Sequence, residues 1–197
     1  MSLVFATSNK NKFEEARKIA EGHDLELEHR DVPYVEIQAD DVVDVVKPSA
    51  QQATELLDSP CFVEDAGLFI EVLNGFPGPY SAYVYKTLQN RGILRLMEGK
   101  ENRRAEFVSA VGYCEPGYEP RIFKGKVRGT ITKESRGSGG FGFDPIFMPD
   151  LGEGGTFAEM STEMKDALSH RGESIEKLVK WYVRNNRADG DRNESDS

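Results

Sequence analysis

The sequence predicts an α/β fold that contains an α+β segment in its middle. In the first part of the chain, short apolar runs alternate with stretches of helical periodicity, which is typical of strands that alternate with helices. Between residues 105 and 133, strand-like runs follow one another directly, and only turn residues separate them. A chain of 197 residues is within the range of a single hydrophobic core, so we expect one domain.

The N-terminal elements are predicted to be a strand, a loop, a helix and two further strands. Residues 3–6 are apolar, and residues 13–20 have the apolar spacing of one helix face. Residues 25–29 and 34–38 alternate apolar with polar side chains, as half-buried strands do. Residues 42–57 again have helical spacing, although Pro48 is expected to kink that helix or to divide it.

The central elements begin with a buried strand at residues 61–63 that is expected to stop at Glu64 and Asp65. Two acids at this position are notable, because ligands of open α/β sheets collect outside the carboxyl ends of strands. A turn-rich break at 74–79 precedes a predicted helix. The helix is expected over 83–97, the later strands over 105–113, 121–127 and 130–133, and their turns at 115–117 and 128–129.

The C-terminal part contains the clearest helix pattern of the chain. Residues 175–183 carry apolar side chains at amphipathic spacing, and they close a domain predicted to span residues 1–185. Residues 186–197 are polar and acidic without an apolar anchor. We therefore predict a disordered tail there.

The composition argues against several classes of function. The formal net charge of −9 opposes binding to a nucleic acid polymer, which depends on clustered Lys and Arg, but a local pocket can still attract a small anion. No run approaches the roughly 20 apolar residues of a membrane-spanning helix, and no signal peptide is recognisable. Cys61 and Cys114 lie in apolar runs and are expected to be buried free thiols. We expect a cytoplasmic protein without a membrane role.

The glycine-rich run at residues 139–145 has the features of a slot for a nucleotide base. Phe141 or Phe143 offers an aromatic face for stacking, and Asp144 offers an acceptor for the N–H edge of the base. Glycines such as Gly142 lack the Cβ atom that would hold a ligand away from the backbone. The alternative is a tight turn with two phenylalanines in the core.

The polar loop between the first strand and the first helix predicts a phosphate site. Backbone N–H groups at a helix start and nearby ammonium groups attract anions. The loop lacks the glycines of a P-loop, which argues against that class of NTPase. The alternative is an ordinary N-cap, formed by Ser8 or Asn9, with solvated lysines. The residues of the loop are Thr7, Ser8, Asn9, Lys10, Asn11 and Lys12.

Three carboxylates on predicted strands form a candidate magnesium site. They are Glu36, Glu64 and Asp65, and hard oxygen ligands of this kind suit Mg²⁺. Magnesium keeps several waters and takes one or two carboxylates together with substrate phosphates, so a complete protein cage is not required. The alternative is a set of solvated surface acids.

A basic segment precedes the last helix. Lys165, His170 and Arg171 bring an ammonium, an imidazole and a guanidinium to a helix start, where they can bind phosphate or the edge of a purine. In the alternative, Ser169 caps the helix while His170 and Arg171 point into solvent. With three histidines in the chain and no cysteine nearby, a zinc site is not expected.

These motifs occur in the order found in the inosine triphosphate pyrophosphatase family, also called the Ham1-like family. The chain resembles that family from residue 3 to about residue 182, which leaves only the tail outside. The motifs that carry the resemblance are Thr7-Ser8-Asn9 with Lys12, then Glu36, Val63-Glu64-Asp65-Ala66-Gly67-Leu68, Pro77-Gly78-Pro79-Tyr80-Ser81-Ala82, Gly142-Phe143-Asp144-Pro145-Ile146-Phe147, and Lys165 with Ser169-His170-Arg171.

The resemblance implies a fold, an activity and an assembly. The fold is an elongated α/β protein with a mixed central sheet flanked by helices, an α+β lobe, and an active cleft between the lobes. The activity is Mg²⁺-dependent hydrolysis of XTP, ITP and dITP to the monophosphate and pyrophosphate, which cleanses the nucleotide pool. The assembly is a homodimer.

The resemblance also implies roles at the phosphate end of a substrate. Residues 7–12 and Lys165 are expected to hold the phosphates, and Glu36 with Asp65 is expected to hold Mg²⁺. Asp65 is further expected to accept the proton of the attacking water, with Ala66 close to the substrate.

At the base end, residues 141–144 with His170 and Arg171 are implied to form the pocket. Donors there suit the 6-carbonyl of hypoxanthine and xanthine, and they would be left unpaired by the 6-amino group of adenine. Two positions depart from the family pattern: Ser49 replaces a lysine found in many members, and Glu64 replaces an aspartate frequent in bacterial relatives. Two other functions fit the same residues, a sensor that binds purine nucleotides without cleaving them and a phosphatase that releases orthophosphate.

Overall fold

The computed structural model describes residues 2–194, with side chains described as far as residue 186. These residues form a seven-stranded mixed sheet with five α-helices, which confirms the predicted α/β class. The strands are β1 (Ser2–Ala6), β2 (Glu26–Arg30), β3 (Cys61–Ile70), β4 (Pro77–Gly78), β5 (Arg104–Cys114), β6 (Arg121–Ile131) and β7 (Phe147–Pro149). The helices are α1 (Lys10–Glu21), α2 (Val42–Leu57), α3 (Ser81–Leu96), α4 (Thr162–Leu168) and α5 (His170–Glu194).

The sheet joins a parallel half to an antiparallel half. Its strand order is β2-β1-β3-β5-β6-β7, and β4 pairs with β3 off this path. β1 runs parallel to β2 and β3, whereas β3, β5, β6 and β7 are antiparallel to their successive neighbours. The parallel half corresponds to the predicted α/β part, and the antiparallel half corresponds to the predicted α+β segment.

Helices cover both faces of the sheet because strand side chains alternate between the faces. Phe62 points to the face covered by α1 and α5, where it packs with Leu178. Its neighbours Cys61 and Val63 point to the opposite face, against α2. Both cysteines are buried and free, as predicted.

The strand predicted at residues 34–38 is wrong, because residues 31–39 have no regular secondary structure. The apolar side chains that suggested a buried face remain in solvent, with Val35 63% and Ile37 43% exposed. The backbone N–H of Val35 donates to the side-chain oxygen of Gln52 on α2, at 3.1 Å. The segment therefore rests on a helix and does not join the sheet.

Pro48 does not divide α2, which was one of the two predicted outcomes, because the helix is continuous from Val42 to Leu57. The proline removes one helical hydrogen bond, to the carbonyl of residue 44, and Asp44 is exposed so that water can satisfy that carbonyl. Val46 and Ala50 are buried against the sheet on either side of the proline. Their packing keeps the helix continuous.

Two strands are longer than predicted. β3 does not stop at Glu64 and Asp65, because β5 pairs with it from Cys61 to Ile70. β6 passes through the predicted turn at 128–129, since Gly129 pairs with strands on both sides. The two acids therefore lie beside the end of β1, and not at the end of their own strand.

The last helix extends beyond its predicted end. The backbone of α5 is helical as far as Glu194, so it enters the segment predicted to be a disordered tail. Residues 195–197 and the side chains after residue 186 lie outside the described part of the chain. None of the described helices has both the length and the apolar character needed to cross a membrane.

Candidate active site

A cavity of about 390 Å³ brings most of the predicted site residues together. Its size is typical of a small-molecule site. Lys12, Asp65 and Phe143, which come from three distant parts of the chain, all line it. The lining residues are Asn9, Asn11, Lys12, Asp65, Ala66, Ser81, Ala82, Tyr85, Phe107, Phe141, Gly142, Phe143, Asp144, Lys165, His170 and Arg171. We call the part near Lys12, Asp65 and Ala66 the acid end, and the part near Phe141, Phe143 and Asp144 the aromatic end.

Glu64 is fully buried beside the acid end and is held by three partners. Lys12 Nζ lies 2.9 Å from one of its carboxylate oxygens, and Arg171 Nε lies 3.2 Å from the other. Ser109 Oγ donates to that second oxygen at 2.7 Å. Burial alone would raise the pKa of Glu64, but the charges of Arg171 and Lys12 outweigh it and lower the pKa to about 2. Glu64 is therefore an ionised anchor for two cations.

Asp65, the next residue, has the opposite electrostatic character and lines the cavity. Burial raises the pKa of Asp65 to about 7, the nearby charges of Glu64 and Glu36 add to the rise, and Lys12 opposes it. A carboxyl group with a pKa near 7 is suited to accept a proton at neutral pH. The two adjacent carboxyl groups therefore differ in their pKa values, and only that of Asp65 lies near neutral pH.

The carboxylates available for a metal are fewer than the sequence suggested. Glu64 is occupied by Lys12 and Arg171, which leaves Asp65 in the cavity and Glu36, which is exposed and does not line the cavity. Among residues 2–194, no group of three or more His, Cys, Asp or Glu side chains is arranged to hold a metal ion. Two carboxylates fit a Mg²⁺ ion that arrives with substrate phosphates and completes its shell with water. They do not fit a resident structural metal.

The loop before α1 divides into cavity residues and capping residues. Asn9 caps the helix by accepting from the backbone N–H groups of Asn11 and Lys12, at 3.0 and 3.2 Å. Buried Thr7 accepts from the N–H of Asn9, which stabilises the turn. The N-cap of the alternative interpretation is thus present at Asn9, but of its solvated lysines only Lys10 is exposed, because Lys12 pairs with buried Glu64.

Three loop residues predicted to bind phosphate do not line the cavity. They are Thr7, which is buried, and Ser8 and Lys10, which are exposed. Thr7 and Ser8 precede the N-cap, where Thr7 is turned inward to accept from Asn9, and Lys10 is the first residue of α1 and points into solvent.

At the aromatic end, two cationic side chains lie over the ring of Phe141. Lys165 Nζ is 4.5 Å and Arg171 Cζ is 5.4 Å from the centroid of the Phe141 ring. Asp144 Oδ2 accepts from the backbone N–H of Phe141 at 2.7 Å and from Lys165 Nζ at 2.8 Å. One oxygen of the predicted base acceptor is therefore already occupied, and Lys165 lies next to the aromatic ring and not at the acid end.

Phe143 fits both interpretations of the glycine-rich run. It is 3% exposed and belongs to the core, yet its ring also lines the cavity. The edge of the Phe143 ring meets Tyr85 of α3 at 5.5 Å between centroids and 88° between planes. At Gly140, φ is +68° and a Cβ atom would collide with Asp144 Oδ2. Glycine is therefore needed there to fold the loop around the carboxylate.

His170 and Arg171 are buried at the start of α5, so they do not point into solvent. Ser169 caps this helix by accepting from the N–H of Gly172 at 2.9 Å. The His170 ring stacks on Phe107, with 4.6 Å between centroids and 8° between planes. Burial and the charge of Arg171 hold the pKa of His170 well below 6.5, so the ring is neutral. Its Nδ1 is buried without a hydrogen-bond partner among the described residues.

Sequence reasoning missed one charged residue of this region, Glu15. Its carboxylate pairs with Lys165 and Arg171, at 2.8 and 2.6 Å, so it lies directly behind the cavity wall. A signal was present, because Glu15 follows Lys12 by three residues and therefore shares its side of α1. Ser49, which replaces the lysine of many family members, does not line the cavity, and neither does Lys47, the lysine nearest to it in α2. Ser49 Oγ instead donates to the carbonyl of Val45 within α2.

Comparison with known proteins gives a consistent result. The family model described as the Ham1 family matches residues 3–181. Proteins named dITP/XTP pyrophosphatase are similar to the chain: that of Methanopyrus kandleri is 51% identical and that of Methanothermobacter marburgensis is 49% identical. Each alignment covers 94% of the chain and 98% of the relative.

Solved structures resemble the fold as well. A HAM1 protein from Coxiella burnetii is 28% identical, with a TM-score of 0.83 over 93% of the chain and 99% of that protein. The Ham1 protein of Staphylococcus aureus is also 28% identical, with a TM-score of 0.81 over 94% of the chain and 100% of that protein.

Proposed function

The chain belongs to the Ham1 family, and on that premise we propose that it is an enzyme that hydrolyses XTP, ITP and dITP to the nucleoside monophosphate and pyrophosphate. Relatives named dITP/XTP pyrophosphatase support this activity, because the chain aligns with them over nearly their whole length. The observation that carries the proposal is that Lys12, Asp65 and Phe143 line one cavity. A site that hydrolyses a nucleotide needs a cation for the phosphates, a proton acceptor for water and an aromatic ring for the purine, all within the length of one nucleotide.

We assign the triphosphate to the acid end. There Lys12 and the positive end of the α1 dipole attract the phosphates, while the N–H groups of Asn11 and Lys12 remain bonded to the Asn9 side chain. Asp65 orients and deprotonates the water that attacks the α-phosphorus, and pyrophosphate leaves on the opposite side. The burial of Asp65 beside Glu64 supports this role, because these surroundings raise the pKa of Asp65 and favour its protonated form before Mg²⁺ binds. Asp65 and Glu36 would hold Mg²⁺, which supplies neutralisation of the charge that develops on the phosphates.

We assign the purine to the aromatic end, where Phe141 or Phe143 stacks on the ring. His170 and Arg171 offer donors to a 6-carbonyl, as in hypoxanthine and xanthine. A 6-amino group would leave those buried donors unpaired, at a cost of about 1 to 3 kcal/mol each. Neutral His170 supports the assignment, because its buried Nδ1 lacks a partner among the described residues. Lys165 belongs to this end by its contacts with Asp144 and Phe141.

The biological role that follows is removal of unusual purine nucleotides from the cytoplasmic nucleotide pool. The net charge of −9 agrees with a free nucleotide as substrate in place of a nucleic acid polymer. A homodimer is part of the proposal through the family resemblance alone.

A panel of nucleoside triphosphates assayed with and without Mg²⁺ tests the proposed function. We expect dITP, ITP and XTP to give equimolar monophosphate and pyrophosphate, with little turnover of ATP and none after chelation of the metal. Orthophosphate as the product would indicate a phosphatase instead. Binding of nucleotide without any product would indicate a sensor. The Asp65→Asn variant serves as the control for a contaminating hydrolase.

A further inference from the structure

Glu15 makes contacts that are unusual for a residue in the middle of an amphipathic helix. Its two carboxylate oxygens pair with two different cations, Lys165 Nζ at 2.8 Å and Arg171 Nη1 at 2.6 Å. Both partners lie more than 140 residues further along the chain, and both line the cavity. Glu15 itself is not a lining residue. It therefore acts on any ligand only through Lys165 and Arg171.

The position of Glu15 in a buried charge network explains why these contacts matter. The network runs in the order Lys12, Glu64, Arg171, Glu15, Lys165 and Asp144, with alternating charge at every step. Each of the three cations is matched by one carboxylate, so the network as a whole is neutral. The Glu15 side chain is 13% exposed and is the link that joins the Lys165 half to the Arg171 half.

Electrostatics keep Glu15 ionised in this position. Burial alone would raise the pKa of Glu15, but the charges of Arg171 and Lys165 outweigh it and lower the pKa below its usual value. The same ion pairs keep Lys165 protonated, because Asp144 and Glu15 offset its burial. A paired, desolvated cation has one geometry, whereas an unpaired one would turn toward water or toward the substrate phosphates.

Resting on the proposed function, we infer that Glu15 is a positioning residue that sets base selectivity by holding Lys165 and Arg171 over Phe141. With Glu15 in place, Arg171 presents a fixed donor to the purine edge. Without its charge, the guanidinium loses the contact at Nη1 and is held by Glu64 at Nε alone, so its orientation is less restricted. The cavity also gains one positive charge, which strengthens the binding of any triphosphate regardless of its base. Both effects reduce discrimination between a 6-carbonyl and a 6-amino purine.

The neighbouring Glu14 provides a matched control on the same helix. Its carboxylate pairs with Arg17 at 2.8 Å, and both side chains are exposed, at 55% and 39%. A surface pair of this kind contributes little to stability. Glu14→Gln therefore removes one charge from α1 without touching the network.

The test measures kcat/KM for dITP and for dATP in the wild type, Glu15→Gln, Glu15→Asp and Glu14→Gln, with a thermal melt of each protein. We expect the dITP to dATP ratio to fall about tenfold or more in Glu15→Gln and to stay at the wild-type value in Glu14→Gln. Glu15→Asp keeps the charge, but its side chain is one methylene shorter and reaches less far toward Lys165 and Arg171. Its dITP to dATP ratio should therefore lie between those of the wild type and Glu15→Gln.

Each outcome decides the inference. A Glu15→Gln protein with a lower melting temperature but an unchanged ratio would show a structural role only and would overturn it. If Glu15→Gln does not fold, a wild-type ratio in Glu15→Asp would overturn it equally, and a reduced ratio would support it. A wild type that releases no pyrophosphate from dITP would refute the proposed function itself, and the inference would fall with it.

Discussion

The two ends of the cavity balance their charges in different ways. At the aromatic end, Lys165 and Arg171 are each paired with carboxylates, so their positions are fixed before any ligand arrives. At the acid end, burial together with the like charges of Glu64 and Glu36 raises the pKa of Asp65, and the opposing charge of Lys12 does not cancel that rise. The aromatic end is therefore built for recognition, and the acid end has an excess of negative charge that a metal ion can satisfy. Selectivity and chemistry are separated along one cavity.

The largest effect should come from the acid end. Asp65→Asn removes the group proposed to accept the proton of water, so we expect kcat for dITP to fall by about 10² to 10⁴-fold. KM should change much less, because the asparagine keeps the size and part of the polarity of the side chain. Product release measured as pyrophosphate checks this. Normal turnover by a folded Asp65→Asn protein would contradict the assignment of the base.

The next effect separates Glu64 from its neighbour. The pKa of Glu64 is about 2 in the folded protein against an ordinary 4.5, so its ion pairs stabilise the fold above about pH 4.5 and are lost as the pH falls through about 2. A difference of this size corresponds to about 3 kcal/mol. We expect Glu64→Gln to lower the free energy of unfolding by about that amount at pH 7, as measured by urea denaturation.

The acid dependence of the same variant provides its own control. Between about pH 4.5 and about pH 2, the wild type should lose stability more steeply than Glu64→Gln, because the amide has no proton to gain. Glu14→Gln, with its exposed ion pair, should follow the wild-type curve. Parallel curves for all three proteins would show that Glu64 is not an ionised anchor.

The smallest effect tests stacking at the aromatic end. Phe141→Leu keeps an apolar side chain but removes the ring, a change of about 0.5 to 1.5 kcal/mol in the interaction with an aromatic base. We expect KM for dITP to rise about two- to tenfold with kcat nearly unchanged. Phe76→Leu is the matched control, because Phe76 is 38% exposed and does not line the cavity. Equal KM values for the two variants would shift the stacking role to Phe143.

The sequence predicted those parts of the site whose chemistry is local. The run at 139–145 and the segment at 169–171 each carry complementary groups within a few residues, so their composition offered a ligand site as one of two interpretations, and the order of the motifs along the chain favoured it. The N-cap at Asn9 was predictable for the same reason, since a cap depends on the next three residues. The spacing of three residues placed Glu15 on the side of α1 that carries Lys12, but neither its ion pairs nor those of Glu64 were predictable. The partners of these two carboxylates lie 45 to 156 residues away along the chain, and only the folded chain brings them together.

The errors in the fold have a related cause. Residues 34–38 have the alternation of a strand, but a strand also needs a partner, and Val35 bonds to the side chain of Gln52 instead. Pro48 is tolerated because the helix around it is packed against the sheet. The end of β3 was misplaced because two acids resembled a strand terminus, whereas pairing with β5 continues through them. In each case, tertiary packing overrode a local preference.

Hydrolysis of dITP in water enriched in ¹⁸O tests the central claim most directly, because it reports which phosphorus atom lies at the acid end. If Asp65 and its water lie at the α-phosphorus, as proposed, the label should appear in dIMP and be absent from pyrophosphate. Label in the pyrophosphate and none in dIMP would mean that water attacks the β-phosphorus, and the proposed placement of the substrate in the cavity would be wrong.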